Sequence, residues 1–367
     1  MSEELENKTE ELLPEQIPVR RRARKGRGVR GVKKKTKWRI ALGIVGRVFA
    51  VIGVMALAFV GLVVGAVTII CRGPSPAAAE VFVNTVMESS AAKFIAHMYF
   101  SEEEVEQILY KYAVIETDEV TNSDQPLPPP PADEKNDLVI EEVRGQTFHG
   151  YMMIIRDPSR VEVAALERYD GRRGKRLEEF YEDTGAVAIV NAGGFYDAGG
   201  MGNGGTPTGI VIHESKLLYG SLTSRSCVIG FDQNDRLVVG QMTGQQALDR
   251  GLRDAVSFGP VFIVNGKAVE VSGNGGGLNP RTVIGQREDG SVLLLVIEGR
   301  MANSLGASYK DCIQVMLDYG AVNAGNLDGG SSSLMIHNGE YVNVSASLYG
   351  SRELPDAIVV MPAKGEE

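Results

Sequence analysis

Cysteine, histidine and tryptophan are scarce in this sequence. Its 367 residues include 3 cysteines, 4 histidines and 1 tryptophan. Cys71, Cys227 and Cys312 make no disulfide framework, and the apolar context of the last two is typical of buried free thiols. The histidines have none of the spacings of a histidine-built zinc site. We therefore expect no cofactor and no metal of that kind.

Glycine, in contrast, is abundant. A content of 44 glycines with so few tryptophans indicates many turns and hence a β-rich body. The length allows one large domain with appendages, or two domains.

Charge is distributed unevenly along the chain. Residues 1–39 hold 13 Lys/Arg against 6 Asp/Glu, and residues 40–72 add Arg47 and Arg72 with no acidic residue. The first 72 residues are therefore net +9, which leaves −18 for the remainder of a chain whose net charge is −9. An acidic body argues against a nucleic-acid partner.

An uncharged apolar segment, Val48 to Cys71, follows the basic block Arg20 to Arg39. As a helix its length is ~36 Å, enough to span a ~30 Å hydrocarbon core. The positive-inside rule places the basic block in the cytoplasm and the body outside, as a single-pass plasma-membrane protein. A cleaved signal peptide is the alternative, but the segment is long for one and begins late. We predict a cytoplasmic tail over residues 1–39 and an anchor over 40–72.

Apolar residues then recur at helical spacing, at Val83, Met87, Ala91, Phe94 and Met98. Ser101 and Glu104 form a capping-box pattern that opens a second helix. Residues 73–123 are therefore predicted to be a helical stalk or hairpin. The proline-rich stretch over 124–136 predicts a stiff linker. The main domain is then expected over 137–367.

Short strands and turns replace helices in this domain, which predicts an α+β, β-rich fold. Residues 186–190 are apolar throughout and read as a buried strand. The strand runs into a glycine-rich loop, which presents Asn191 and Tyr196 at the end of a sheet. Asn265-Gly266 predicts a tight hairpin. Ser308 is a suitable cap for one of the few helices.

The stretch Asn326 to Met335 combines one carboxylate, one amide and three hydroxyls with two glycines. Glycine lets the backbone reach positive φ and approach a ligand closely. An ordinary tight turn capped by Asp328 has the same composition. Such a turn can also hold Ca²⁺ through oxygen ligands, although one carboxylate is thin support for a metal.

Three arginines lie at predicted strand ends: Arg281, Arg300 and Arg352. An arginine at such a position is commonly a surface salt-bridge residue, but its planar fork also suits phosphate. Three carboxylates lie beside the same turns, namely Asp197, Glu298 and Asp328. This combination suits a sugar that carries a phosphate, and paired carboxylates are what glycosidic cleavage usually requires.

Five blocks in order resemble one known family, the phosphodiester glycosidase (NAGPA) domain. They are N-A-G-G-F-Y at 191, P-T-G at 207, F-G-P-V-F-I-V-N-G at 258, R-T-V-I-G at 281 with E-G-R at 298, and N-L-D-G-G-S-S at 326. The downstream S-R at 351 also fits. The resemblance runs from about Phe148 to Pro362. Tyr196 replaces the family's usual phenylalanine, and Glu298 its usual aspartate.

The resemblance implies hydrolysis of a sugar-1-phosphodiester at the anomeric carbon, with a β-rich domain of mixed sheets and few helices. On this basis Asp328 and Glu298 are the predicted catalytic residues. The predicted substrate-binding residues are Arg281, Arg300 and Arg352 for the phosphate, and Asn191, Gly193, Gly194, Tyr196, Asn326, Gly329 and Ser332 for the sugar and the floor of the site.

Two alternatives remain open at this stage. A non-catalytic carbohydrate-binding or exopolysaccharide-assembly protein on the same fold needs the glycine loops but not an intact set of carboxylates. A membrane scaffold acting through residues 73–123 needs neither. The sequence gives no oligomeric state.

Overall fold

A long apolar helix opens the described part of the chain in a computed structural model, which describes residues 37–123, 138–347 and 350–363. The predicted linker over 124–136 and most of the predicted basic tail lie outside these residues. Helix α1 spans Lys37–Arg72. Its segment Ala41–Arg72 is a candidate membrane span of 32 residues, and an 18-residue stretch of it has a mean hydropathy of 2.7 and contains no buried residue. A signal sequence has the same properties. The chain divides into two compact units, 1–63 and 64–367.

Three short helices precede the β-rich body: α2 (Pro76–Met87), α3 (Lys93–Tyr99) and α4 (Glu102–Lys111). The predicted capping box at Ser101 and Glu104 is confirmed. The apolar stripe predicted through residue 98 is interrupted, because residues 88–92 form a turn. Serine competes for backbone hydrogen bonds, and Ser89-Ser90 therefore favours this turn over a continuous helix.

The β-rich body contains nineteen strands and three helices within the described residues. The helices are α5 (Leu177–Thr184), α6 (Gly244–Asp249) and α7 (Tyr309–Asp318). The strands are β1 (Leu138–Arg144), β2 (His149–Ile155), β3 (Val161–Ala165), β4 (Lys175–Arg176), β5 (Ala188–Asn191), β6 (Val211–His213), β7 (Lys216–Tyr219), β8 (Arg225–Asp232), β9 (Leu237–Thr243), β10 (Leu252–Ser257), β11 (Val261–Val264), β12 (Lys267–Ala268), β13 (Arg281–Arg287), β14 (Val292–Ile297), β15 (Ala321–Leu327), β16 (Met335–His337), β17 (Glu340–Tyr341), β18 (Glu353–Leu354) and β19 (Asp356–Val360).

Three large sheets carry these strands. Their orders are β1-β2-β14-β13-β15-β11-β12, β7-β6-β10-β8-β9 and β17-β16-β5-β19-β3, and β18 pairs with β4 in a small fourth sheet. The pairings among the described strands are antiparallel. The main apolar core lies between the large sheets, with Ile284 and Leu294 from the first, Ile229 from the second, and Val190 and Ile358 from the third. The β-rich α+β body expected from the sequence is confirmed.

Local turn and cap predictions agree with the structure. Asn265-Gly266 joins β11 to β12 with φ values of 51° and 77°. Ser308 caps α7 through a capping box with Asp311. Strand β15 was not expected, because the sequence pattern placed Asn326 and Leu327 in a turn directly after α7.

Candidate active site

Strand register brings distant motifs to one edge of the first sheet. Arg281 begins β13 and lies opposite Ile297 at the end of β14, three residues before Arg300. Thr282 lies opposite Leu327 at the end of β15, directly before Asp328. Because both pairings are antiparallel, the start of β13 and the ends of its two neighbours share an edge.

A cavity of about 650 Å³ opens at this edge. Six of the predicted site residues line it: Arg281, Arg300, Asp328, Gly329, Ser332 and Arg352. The other six, Asn191, Gly193, Gly194, Tyr196, Glu298 and Asn326, do not. A larger cleft of about 850 Å³ lies near Arg287 and Asp289 and contains none of the predicted residues.

Asp328 is held by the strand end that carries Asn191. Its backbone N–H donates to the Ala192 carbonyl at 2.8 Å, and its own carbonyl accepts from Asn191 Nδ2 at 2.5 Å. The carboxylate accepts from the N–H of Gly329 at 3.0 Å and from the side chain of Ser332. Burial raises the pKa of Asp328 to about 6, although the nearby charge of Arg352 and these hydrogen bonds oppose the shift. The group therefore titrates just below neutral pH.

Arg352 is paired with a carboxylate that was noted in the sequence but not assigned to the site. It donates two hydrogen bonds to Asp197, at 2.8 and 2.9 Å, and its guanidinium lies 4.9 Å from the centre of the Phe195 ring. The hydrogen bond from Arg352 lowers the pKa of Asp197, so this carboxylate is ionised at neutral pH. Asp197 and Asp328 are thus two cavity carboxylates whose pKa values are shifted in opposite directions.

Arg281 is buried and already carries a counter-ion. Its Nη2 donates to Glu88 Oε2 at 2.6 Å and to the Gly277 carbonyl at 2.7 Å, and Nε donates to the Ala307 carbonyl at 3.0 Å. The guanidinium stacks 4.2 Å from the centre of the Tyr309 ring. The sequence motifs of the main domain do not include Glu88, because this residue lies in the turn after α2.

Arg300 lines the cavity and makes no salt bridge among the described residues, although the charge of Glu88 acts on it. Its Nη2 donates to Asn279 Oδ1 at 3.1 Å, and the side chain is exposed to the cavity. Its φ of 60° is unusual for a residue other than glycine and costs of the order of 1 kcal/mol or more. An arginine held in a strained backbone beside Arg281 is well placed to receive an anion.

Glu298 lies behind the cavity rather than in its wall. The side chain is 4% exposed. Oε2 lies 3.1 Å from His149 Nδ1, and Oε1 accepts from the backbone N–H of Val344 at 2.7 Å. These contacts fasten the end of β14 to β2 and to the segment after β17.

The remaining predicted residues shape the site from outside its lining. Asn191 Oδ1 accepts from Thr282 Oγ1 at 2.8 Å and from the N–H of Leu334, so the side chain bridges three elements. Asn326 donates to the Gly259 carbonyl at 2.8 Å. Tyr196 is 69% exposed. Gly193 and Gly194 are tightly packed, against Asp356 and Phe258 respectively.

The turn after α2 forms part of the cavity wall, through residues 88–91. On one side Glu88 also accepts from Asn279 Nδ2 at 2.7 Å and from the N–H of Gly277 at 3.2 Å. On the other side Ser90 hydrogen-bonds Asp197, and Ala91 packs against Gly200. Residues 88–91 therefore contact both walls, and we refer to them as the cover.

No cluster of three or more potential His, Cys, Asp or Glu metal ligands occurs among the described residues. The charged groups that line the cavity are four arginines and four carboxylates: Arg176, Arg281, Arg300, Arg352, Glu88, Asp197, Asp328 and Glu353. Guanidinium groups grouped in this way suit a phosphate, with a carboxylate beside it.

Comparisons with known proteins agree with this chemistry. A family model described as phosphodiester glycosidase (NAGPA) matches residues 184–361. The chain is 29% identical over 164 residues to the SPbeta prophage-derived uncharacterized protein YomE of Bacillus subtilis, which covers 43% of this chain and 25% of that protein. It is 21% identical over 221 residues to the N-acetylglucosamine-1-phosphodiester alpha-N-acetylglucosaminidase of Mus musculus. This match covers 54% of this chain and 42% of the mouse protein. The chain thus spans less than half the length of either relative.

One solved structure shares the fold. It is described as the catalytic domain of zebrafish N-acetylglucosamine-1-phosphodiester alpha-N-acetylglucosaminidase auto-inhibited by pro-peptide. The TM-score is 0.52 at 17% identity, covering 67% of this chain and 88% of that chain.

Proposed function

We propose that the protein hydrolyses a sugar-1-phosphodiester at the anomeric carbon, because a phosphodiester glycosidase (NAGPA) family model matches residues 184–361. Water attacks C1, the bond from C1 to the phosphate oxygen breaks, and its electron pair leaves with the phosphate. The products are the free sugar and a phosphomonoester. We favour a GlcNAc-1-phosphodiester on a cell-surface or wall glycopolymer as substrate, because the mouse relative is named for that linkage.

The convergence of Arg281, Arg300, Arg352 and Asp328 on one cavity carries this proposal. These residues come from four separate segments, and nothing in local structure requires them to meet. A surface salt-bridge role, the ordinary alternative for each arginine, does not account for Arg300, which lines the cavity without a salt bridge among the described residues.

Arg300 is the first ligand of the phosphate, and Arg281 and Arg352 complete the clamp. A phosphate leaving group is weakly basic, so guanidiniums that stabilise its charge replace much of the work of a general acid. Asp328, ionised above about pH 6, stabilises oxocarbenium character at C1 or takes a proton from the attacking water. Ser332 and the Gly329 turn hold the sugar.

Glu298 remains the second predicted catalytic carboxylate. Its contacts with His149 and Val344 favour an indirect role, in which it holds the segment that carries Arg300. Asp197 lines the cavity and supplies a second carboxylate there, although Arg352 keeps it ionised and engaged.

In this proposal the cover limits access to Arg281, because Glu88 already occupies its guanidinium. The zebrafish domain is described as auto-inhibited by its pro-peptide, and the cover of this chain engages Arg281 through Glu88 in the way a competing anion would. The cover must therefore shift, or exchange Glu88 for the substrate phosphate, before Arg281 takes part in the clamp.

Helix α1 serves as an uncleaved anchor in this proposal, with the basic tail in the cytoplasm and the catalytic domain outside the plasma membrane. The 32-residue apolar span supports it. Protease treatment of intact cells tests the orientation. Digestion of the domain from outside supports it, and protection of the domain in intact cells refutes it.

The decisive assay uses the full chain in detergent with a GlcNAc-1-phosphodiester, and measures the release of reducing sugar. We expect turnover by the native chain, a loss of about 10²–10⁴ in rate for Asp328→Asn, and no loss for the matched exposed variant Asp249→Asn. Substrate binding is measured in parallel. Tight binding without turnover on any sugar-1-phosphodiester favours the non-catalytic carbohydrate-binding protein, which is the main alternative.

A further inference from the structure

Asp356 is a buried carboxyl that the roles described above do not use. It begins β19, an inner strand of the third sheet between β5 and β3, and has no exposed surface. Oδ1 accepts from the N–H of Gly193 at 2.6 Å. Oδ2 is buried and has no hydrogen-bond partner, and no cation pairs with the group among the described residues. An ionised carboxylate in such a place is costly, and a protonated one much less so.

Asp356 and Asp328 both contact the residues at the end of β5. Residues 191–193 continue from β5, where Asn191 lies opposite Ala357 of β19. Asn191 and Ala192 hold the backbone of Asp328, and Gly193 holds the carboxyl of Asp356. A Cβ at position 193 would lie 2.8 and 3.0 Å from the two carboxyl oxygens. The glycine predicted to form the floor of the site thus makes room for this acid.

The charged groups around the pair leave Asp356 without compensation. It faces the Gly193 N–H from the end of β5, Asp328 from the end of β15, and Tyr169, whose hydroxyl donates to the neighbouring Pro355 carbonyl at 3.1 Å. Arg352 offsets the charge of Asp328. Burial raises the pKa of Asp356 to about 7, the hydrogen bond from Gly193 opposes this shift, and the charge of Asp328 adds to it.

We propose that Asp356 is a positioning residue that retains a proton while Asp328 is ionised, so that the buried region behind the cavity carries one negative charge and not two. The inference rests on the proposed hydrolysis for its catalytic consequence only. When Asp356 loses its proton, a second buried negative charge repels the anionic substrate. The value of KM then rises, and kcat/KM falls on the alkaline side of about pH 7.

The stability test does not need catalysis. A carboxyl whose pKa is raised on folding binds more protons in the folded state than in the unfolded state, so its contribution to stability falls as pH rises toward the folded pKa. Between about pH 4 and pH 7 the unfolding midpoint of Asp356→Asn should therefore fall less than that of the native chain. Asp328→Asn removes the neighbouring charge and should therefore lower the pKa of Asp356 in the folded state. The pH-dependent loss of stability due to Asp356 should then end at a lower pH.

The kinetic test separates a positioning role from a merely structural one. In Asp356→Asn we expect the alkaline fall in kcat/KM to disappear, because asparagine stays neutral, while the acid limb due to Asp328 stays in place. The native fall is expected to be roughly threefold to tenfold, equivalent to about half to one pKa unit of coupling. Asp249→Asn, on an exposed helix end, is the control for both measurements.

Each result decides the question. Loss of the alkaline limb together with the altered stability profile supports the inference. An unchanged stability profile in Asp356→Asn overturns it, as does an alkaline limb that persists. If the native chain shows no turnover, the proposed function fails separately. The coupling between the two carboxyls is still overturned if Asp328→Asn leaves unchanged the pH at which the stability loss due to Asp356 ends. That last measurement leaves position 356 intact, so it stands even if Asp356→Asn does not fold.

Discussion

Replacing Glu88 with glutamine tests whether the cover competes with substrate for Arg281. The Glu88 carboxylate accepts three hydrogen bonds, from Arg281 at 2.6 Å, Asn279 at 2.7 Å and the Gly277 N–H at 3.2 Å. Glutamine keeps the shape and one acceptor oxygen but removes the charge. Arg281, with a side chain 5% exposed, is then a buried cation without its counter-ion.

The magnitude follows from the burial of the pair. Breaking a buried ion pair by removing one partner costs about 3–5 kcal/mol. Glu88 is 22% exposed and glutamine still accepts a hydrogen bond, so we expect the lower end, about 3 kcal/mol of unfolding free energy. An incoming phosphate no longer has to displace a carboxylate. Since each 1.4 kcal/mol is a factor of ten, affinity for an anion should rise by about 100-fold.

Two measurements on the full chain in detergent test this prediction. Titration calorimetry with inorganic phosphate gives the affinity, and thermal unfolding with and without phosphate gives the stability. We expect Glu88→Gln to be destabilised without phosphate and largely restored by it, because a ligand at 100 times its Kd contributes about 2.7 kcal/mol. Glu106→Gln, an exposed change on α4, is the matched control. If Glu88→Gln binds phosphate no better than the native chain, Glu88 is a fixed part of the wall and the cover does not compete.

Further predictions concern the site and its supports. Arg300→Ala should lower kcat/KM by about 10²–10³, as loss of one preorganised charge-stabilising donor does, without a large change in the unfolding midpoint. Asp328→Asn should unfold at a higher temperature than the native chain at pH 8 but not at pH 4, since its raised pKa means that ionisation destabilises the folded state as pH rises through about 6. Gly193→Ala should lose about 1–3 kcal/mol of stability through overpacking against Asp356. Glu298→Gln should lower the unfolding temperature, because it weakens the link to His149.

The outcomes that contradict these predictions are equally specific. Full activity in Arg300→Ala removes the phosphate clamp from the proposal. A native-like unfolding temperature in Gly193→Ala means that the strand end relaxes, and that Asp356 does not require a glycine there. A loss of turnover in Glu298→Gln with an unchanged unfolding temperature returns Glu298 to a direct catalytic role.

The sequence alone determined the features that depend on neighbouring residues. Glycine after Asn265 forms the predicted hairpin because both residues adopt positive φ. Ser101 and Ser308 cap helices because their hydroxyls satisfy free N–H groups one turn ahead. Six residues that the motif blocks and the Ser351-Arg352 pair predicted for the site line the cavity.

Only the tertiary structure decided which side chains pair with one another and which face the cavity. The partner of Arg281 is Glu88, which lies 193 residues away along the chain, and the carboxyl behind Gly193 is Asp356, 163 residues away. Glu298 sits two positions from Arg300, yet it turns toward His149 while Arg300 faces the cavity. Strand pairing sets these neighbours, and pairing is fixed by long-range register and burial, which no local pattern of residues contains.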